Sequence, residues 1–543
     1  MVGTRFGAVS SHIKLYPYPL IESEMAALKG AGLAWLRCDF AWYDLETAPG
    51  KWDFSGTDLV VQEAAENGVS ILGILGTSPY WANGGKDWNY PPTDLEAWRN
   101  YVRTVASRYR GRVTAWEVWN EENIPAFWQP EPDPEVYLEI LADASDEIRA
   151  ADPGALVVMG GMAGLGSDFM GACLALGAAE YVDAVAYHPY AETIGVEGQP
   201  EEDLLRPKEA LSRWLVQFVH WLVSQNTPKD LQVWITEVGW TTCEQTPPGV
   251  DVDTQAAYLL RTMINYASTD VNRVLWYNLR DTHLNDIDRY GLLDSGFNPK
   301  PSYHCFTAFQ EVFGNTIPFS SPPVTFSCSN LETLEAHSFI REDGTMLLAF
   351  WKSDDSFDLL DLHVTDPSYW NPVLVDPASG EEQPLPGTVR EPAGGIEVLD
   401  IQVGKYPVIL SLKKVDVSSV GPAQAYQHTL LLNLDLAGSG FQPGAVVRLE
   451  AGGRTIDGLN MQFASEKRLT CAVTLWGVDP GSYDLVVMNP DGSRARLTSG
   501  FKVLPLCGTG SGAALLALGC LLGLLSVPSA LLARRKERKA GSR

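Results

Sequence analysis

The sequence predicts a (β/α)8 barrel followed by two β-sandwich modules and a C-terminal transmembrane helix. Three observations carry this reading. Up to about residue 312, eight short apolar strand patterns alternate with amphipathic helical patterns, as a closed parallel sheet requires. From residue 314 the pattern changes to short strands between Asp, Gly and Pro turns. Residues 513–533 then form an apolar run long enough to cross a bilayer, followed at once by Arg534-Arg535-Lys536-Glu537-Arg538-Lys539. A chain of 543 residues is too long for one hydrophobic core. The expected domains are 1–313 (barrel), 314–414 (β-sandwich), 415–504 (immunoglobulin-like) and 505–543 (linker, membrane helix and basic tail).

The barrel strands are expected at 5–10, 33–39, 70–75, 113–119, 155–160, 183–187, 232–237 and 273–277. Several are β-branched or Leu runs without alternation, as suits strands covered on both faces. Helical patterns fall between them at 22–31, 58–67, 95–109, 134–151, 207–224 and 253–267, with a closing helix at 303–313. In the first β module, strands are expected at 346–351, 359–364, 373–375, 396–401 and 407–412. In the second, the turn Gly438-Ser439-Gly440-Phe441-Gln442-Pro443-Gly444 precedes a strand at 445–449, and the turn Asn489-Pro490-Asp491-Gly492 comes late.

The formal charge of −27 disfavours nucleic acid as a partner. It is compatible with a neutral carbohydrate. The eight Cys are scattered without metal-site spacing and read mostly as small buried hydrophobes. No metal or cofactor is expected. Seventeen Trp is a high number. Most are expected in the core, although indoles also make good platforms for sugar rings.

The chemistry-bearing feature is a pair of glutamates, each ending an expected barrel strand: Glu121 in Trp119-Asn120-Glu121-Glu122 and Glu237 in Ile235-Thr236-Glu237-Val238. Three βα units separate them, so both reach the same barrel face. Two carboxyls across a sugar ring are the minimum equipment for glycosidic bond cleavage. One must be protonated to serve as acid, and the other must stay ionised.

These motifs resemble those of clan A glycoside hydrolases, closest to the β-xylosidase/α-L-iduronidase and cellulase-like families, over residues 4–312. The resemblance implies a retaining O-glycosyl hydrolase of β-xylosidase or β-glucanase type. It assigns Glu121 as general acid/base, Glu237 as nucleophile and Asn120 as the 2-hydroxyl ligand. Arg37 steadies the nucleophile, His188 and Tyr190 line the site, and Trp276 forms the aromatic floor. Trp81 and Trp240, in βα loops, are further candidate sugar platforms, with Trp42, Tyr80 and Trp128 open to either stacking or packing. Glu122 stands where the family motif has Pro; it could raise the acid's pKa, but a solvent-facing side chain is expected. Glu117 is expected as a buried interior residue with partners. Asp281, His283 and Asp286 are expected in a solvated loop. The second β module resembles an IPT/TIG domain, which implies a spacer or binding role.

The basic end of the tail implies that the preceding chain lies outside the membrane, attached or released after processing near Cys507. Met1-Val2-Gly3 runs straight into the first strand pattern without a basic-then-apolar leader. An export signal outside this sequence or another start site would reconcile the two; a cytoplasmic, tail-anchored form is the alternative. The competing functional reading is a non-catalytic glycan-binding surface protein.

Overall fold

The computed structural model describes residues 3–11, 13–15, 17–190, 212–243, 249–282, 289–366, 368–390 and 395–506. The chain divides into two compact units, residues 1–414 and 415–543.

The first unit begins with a closed parallel barrel. Its strands are β1 (Phe6–Val9), β2 (Trp35–Asp39), β3 (Ser70–Leu75), β4 (Ala115–Asn120), β5 (Leu156–Ala163), β6 (Ala184–His188), β7 (Gln232–Val238) and β8 (Arg273–Trp276). Each pairs with its neighbours in sequence, and β8 closes on β1. Eight helices cover it: α1 (Tyr18–Gly30), α2 (Ser55–Asn67), α3 (Leu95–Arg108), α4 (Pro134–Ala151), α5 (Ser167–Ala175), α6 (Ser212–Asn226), α7 (Val252–Ala267) and α8 (Pro301–Phe313). The expected strands agree to within two residues at nearly every end. Helix α5, short and Ala/Gly-rich, is not among the helical patterns named from the sequence.

Local chemistry sets several helix starts. Asp94 caps α3 by accepting from the Ala97 N–H, and Asp133 caps α4 from Glu135 and Val136, with Pro134 as the first helical residue. Asp251 caps α7 by accepting from the Thr254 N–H at 2.7 Å. Helix α2 ends on left-handed Gly68.

Period-two alternation decides which side chains fill the barrel. On the inside, Trp35, Leu72, Ala115, Val158, Ala184, Ala186, Trp234 and Leu275 form a dry layer, with the Trp35 and Trp234 rings 5.3 Å apart edge to face. Their neighbours Leu36, Trp116, Val185, Ile235 and Trp276 point outward into the helix layer. Above the dry layer the inward positions turn polar: Arg37, Glu117, His188 and Thr236, all buried. The site described below is therefore built on strands, over a packed plug.

A β-sandwich completes the first unit, with one six-stranded and one four-stranded sheet. Its strands include Met346–Lys352, Asp358–Val364, Tyr369–Val375, Ile396–Val403 and Val408–Lys414, as the sequence suggests. Met346, Leu348, Phe350, Leu360, Leu362, Ile396 and Leu410 fill the space between the sheets. The other face of the larger sheet, through Phe339, Leu347, Trp351 and Ile409, joins the core of the barrel's helix layer. Buried Arg261 of α7 reinforces this junction. It pairs with Asp355 at 2.7 Å and donates to the carbonyls of Lys352 and Lys405.

The second unit is also a two-sheet sandwich, with four and five strands. Its two turn motifs meet through Asn489, which accepts from the Gln442 N–H and donates to the Gly440 carbonyl. Among the described residues, no helix is long and apolar enough to cross a membrane. The apolar run 513–533, its basic flank, Cys507 and Cys520 lie outside the described residues. Five of the six described cysteines are buried.

Candidate active site

The site is organised around one buried cation. Arg37, near the end of β2, donates from Nε and Nη2 to the two oxygens of Glu117 at 3.1 and 2.7 Å. Nη2 also donates to Asn120 Oδ1 at 2.7 Å, and Nη1 to Glu237 Oε1. Burial works against the charged guanidinium, but Glu117 and Glu237 outweigh it and raise its pKa. Arg37 is therefore a fixed positive charge. Glu117, fully buried, also accepts from the Gly161 N–H at 3.0 Å, so it is a partnered interior residue as the sequence suggests.

Glu237 ends β7 and is 8% exposed. Burial alone would push its pKa up. The positive field of His188 and then Arg37, with hydrogen bonds from Tyr190 and Arg37, reverses this and holds the carboxyl below its ordinary range. Tyr190 donates its hydroxyl to Glu237 Oε2 at 2.7 Å. Burial, and next the charge of Glu237, raise that phenol well above its usual pKa, so it keeps the proton it donates. Tyr190 is set by an aromatic cluster, with the rings of Tyr277 and Tyr290 at 6.2 and 5.9 Å.

Glu121 lies just past β4, where the chain leaves strand geometry: Trp119 and Glu121 have φ of 74° and 50°. Its N–H still bonds to the Gly161 carbonyl at 2.9 Å. His188 joins the two halves of the site. Its Nδ1 is 2.9 Å from Glu121 Oε1 and 3.8 Å from Glu237 Oε2, and its Nε2 is 3.0 Å from Thr236 Oγ1. Gly161 makes room for this ring. A Cβ there would lie 2.1 Å from His188 Nε2 and 2.6 Å from Thr236 Oγ1, so only glycine fits.

Glu121, His188 and Glu237 each offer an atom within 4.8 Å of the others. A divalent ion could bridge that spacing. However, Arg37 and Tyr190 already occupy Glu237, and His188 engages Glu121, so these lone pairs are committed inside the site.

The structure brings Arg37, Asn120, Glu121, His188, Tyr190 and Glu237 into one network and leaves the three expected Trp platforms outside it. Trp276 is a correction. It is fully buried on the outer face of β8 and donates its indole N–H to the Tyr290 carbonyl. The inward position is the next one, Tyr277. The alternation Leu275-in, Trp276-out, Tyr277-in carried that signal in the sequence. Trp240 packs tilted on Tyr258 of α7, with ring centroids 4.7 Å apart. Trp81 bonds to the Glu46 carbonyl and packs on Trp42. Trp42 and Trp128, left open by the sequence, are core residues.

Two acidic residues also depart from expectation. Glu122 does not face solvent. It is fully buried against Gly160 on the outer side of the barrel wall, and neither carboxyl oxygen has a hydrogen-bond partner. The nearby Tyr137 hydroxyl donates to the Val118 carbonyl and accepts from the Gly160 N–H. Burial, with the charges of Glu117 and Glu121 adding to it, pushes the Glu122 carboxyl up to about 8. Asp281 is 8% exposed rather than solvated, clamped by Lys300 at 2.7 Å and by the Gly291 N–H. His283 and Asp286 lie outside the described residues.

A closed parallel barrel with two glutamates facing each other at the ends of β4 and β7 is the arrangement that the clan A resemblance implies. Residues 76–324 match the sequence profile of Glycosyl hydrolases family 39. A β-xylosidase from Geobacillus stearothermophilus is 26% identical over 244 residues, 41% of this chain and 47% of that protein. The chain thus spans less than half the length of this curated relative. A family 39 glycoside hydrolase from the gut symbiont Bacteroides cellulosilyticus WH2 superposes with a TM-score of 0.59 at 22% identity, over 76% of this chain and 82% of the other. The family 39 enzyme from Xanthomonas axonopodis pv. citri gives 0.51 at 15% identity, over 76% and 94%. At these identities the structural likeness concerns the fold.

Proposed function

We propose that the barrel is a retaining O-glycosyl hydrolase in which Glu237 is the nucleophile and Glu121 the general acid/base. The supporting observation is the separation of the two carboxyls, with an oxygen of each within 4.8 Å of the other. Oxygens that close favour the roughly 5–5.5 Å carboxyl spacing of a double displacement over the about 6.5–9.5 Å of an inverting pair.

The electrostatics divide the roles. Glu237, held ionised by Arg37 and Tyr190, attacks the anomeric carbon while Glu121 protonates the departing oxygen. Glu121, now a carboxylate, then takes a proton from water, which attacks the glycosyl-enzyme and frees Glu237. Asn120, its amide oxygen held by Arg37, presents its NH2 to the sugar 2-hydroxyl. The curated relative is a β-xylosidase, and β-xylosides are the substrates we put first.

Kinetics on aryl β-glycosides and β-linked oligosaccharides test this, using residues 1–504 and the Glu237→Gln variant. Hydrolysis with retained configuration, lost at least about a thousandfold in the variant, supports the assignment. A folded protein that binds the sugars without cleaving them would favour a glycan-binding surface protein. We place the second unit as an IPT/TIG-like spacer and residues 513–533 as a membrane anchor holding the enzyme outside the cell. Fractionating cells that express the full chain or residues 1–504 tests the anchor.

A further inference from the structure

On the barrel rim that carries the carboxylates, between the loops after β2 and β3, is a cleft of 570 Å³ lined by Tyr43, Ser78, Pro79, Tyr80, Trp81 and Trp88. We infer that this cleft is a second sugar-binding subsite, which takes a further ring of a β-linked oligosaccharide. This inference rests on the proposed glycosidase reading and adds that the substrate is a chain rather than a single glycoside.

The cleft is apolar where a pyranose face would lie. Tyr80, Trp88 and Tyr43 are 63, 41 and 39% exposed around this one depression. Single exposed aromatics are ordinary, but three around one concavity match the recognition of a ring with an apolar face and a polar edge.

The platform is rigid. In the loop after β3, Asn83 is fully buried, donates to the Asp87 carbonyl at 2.8 Å and accepts from the Lys86 N–H at 2.9 Å. Gly85 bonds to the Tyr80 carbonyl, and Tyr80 Oη to Asp87. A preorganised loop loses little entropy on binding. It is also tied to the loop that starts at Glu121: Trp88 packs on Phe127 at 5.9 Å, Asn89 donates to the Ala126 carbonyl, and Gln129 donates to the Asn89 carbonyl. The loop that carries the cleft and the loop that carries Glu121 therefore hold each other in place.

The test compares Tyr80→Ala, Trp88→Ala and Trp88→Phe on p-nitrophenyl β-xyloside and on xylo-, gluco- and manno-oligosaccharides of four units. Either Ala change is expected to reduce kcat/KM on the cleaved tetrasaccharide about tenfold more than on the aryl glycoside, equivalent to ~1.4 kcal/mol. Trp88→Phe, which keeps a ring, should recover most of that loss. Equal losses on both substrates overturn the subsite. Calorimetric binding of the same tetrasaccharides to the Glu237→Gln variant reads the cleft without turnover. Affinity weakened about tenfold by Tyr80→Ala or Trp88→Ala supports it; unchanged affinity, or no binding at all, overturns it. Inactive wild-type protein would overturn the glycosidase reading, while binding still decides the cleft.

Discussion

Replacing Glu122 with Gln should make the protein more stable above neutral pH, by an amount that depends on pH in a defined way. In the folded state this carboxyl is raised from 4.5 to about 8, burial being the main cause. Between those values the native state holds one proton that the unfolded chain has released. Stability therefore falls as pH rises through that window, by at most about 1.36 kcal/mol per pH unit. Below 4.5 the cost is absent; above 8 it is complete. At pH 7, two and a half units above the lower limit, the cost is about 3 kcal/mol. Gln fills the same space without ionising, so its own burial cost is constant. The measurement is urea unfolding of wild type and Glu122→Gln from pH 5 to pH 8. The stability difference should move in favour of the variant by about 3–4 kcal/mol across that range, with one proton released on unfolding of the wild type at pH 7. A difference that does not change with pH would refute the reasoning and mean that Glu122 is ionised and partnered in solution.

Three further outcomes are expected. Glu121→Ala should slow glycosides with poor leaving groups at least about a hundredfold more than activated aryl glycosides, because only the former need protonation; equal losses would point to another role. Gly161→Ala should displace His188 or Thr236, lowering kcat/KM at least about a hundredfold and stability by about 1–3 kcal/mol. Near-wild-type activity on an aryl glycoside would show that the ring is not held as described. Arg261→Ala should cost about 2–4 kcal/mol by removing a buried guanidinium with its bonds to Asp355 and to two interface carbonyls, read as a lower urea midpoint for the first unit. An unchanged midpoint would show that the barrel and sandwich do not depend on this junction.

The barrel was legible in the chain because its strands are short apolar runs separated by capped amphipathic helices, and both signals are local. The two glutamates were legible for a related reason, since residues at strand ends of a parallel barrel converge whatever the loops do; Arg37, Asn120, His188 and Tyr190 were legible only through the family resemblance of their motifs. Strand alternation places Tyr277 rather than Trp276 on the inner face, a point readable from sequence only once the register of β8 is fixed. Glu122 could not be read at all. A carboxylate next to a catalytic candidate belongs in water by its chemistry, and only the turn at Glu121 and the packing of α4 on the barrel wall put it where no water reaches. The same holds for the sharing of one core between the barrel and the first sandwich, and for the cleft formed where the loops after β2 and β3 meet. Sequence determined the elements and the groups that strands carry to the rim, since those follow from periodicity. Tertiary structure decided burial, partners and concavity, since those depend on which distant surfaces close over each side chain.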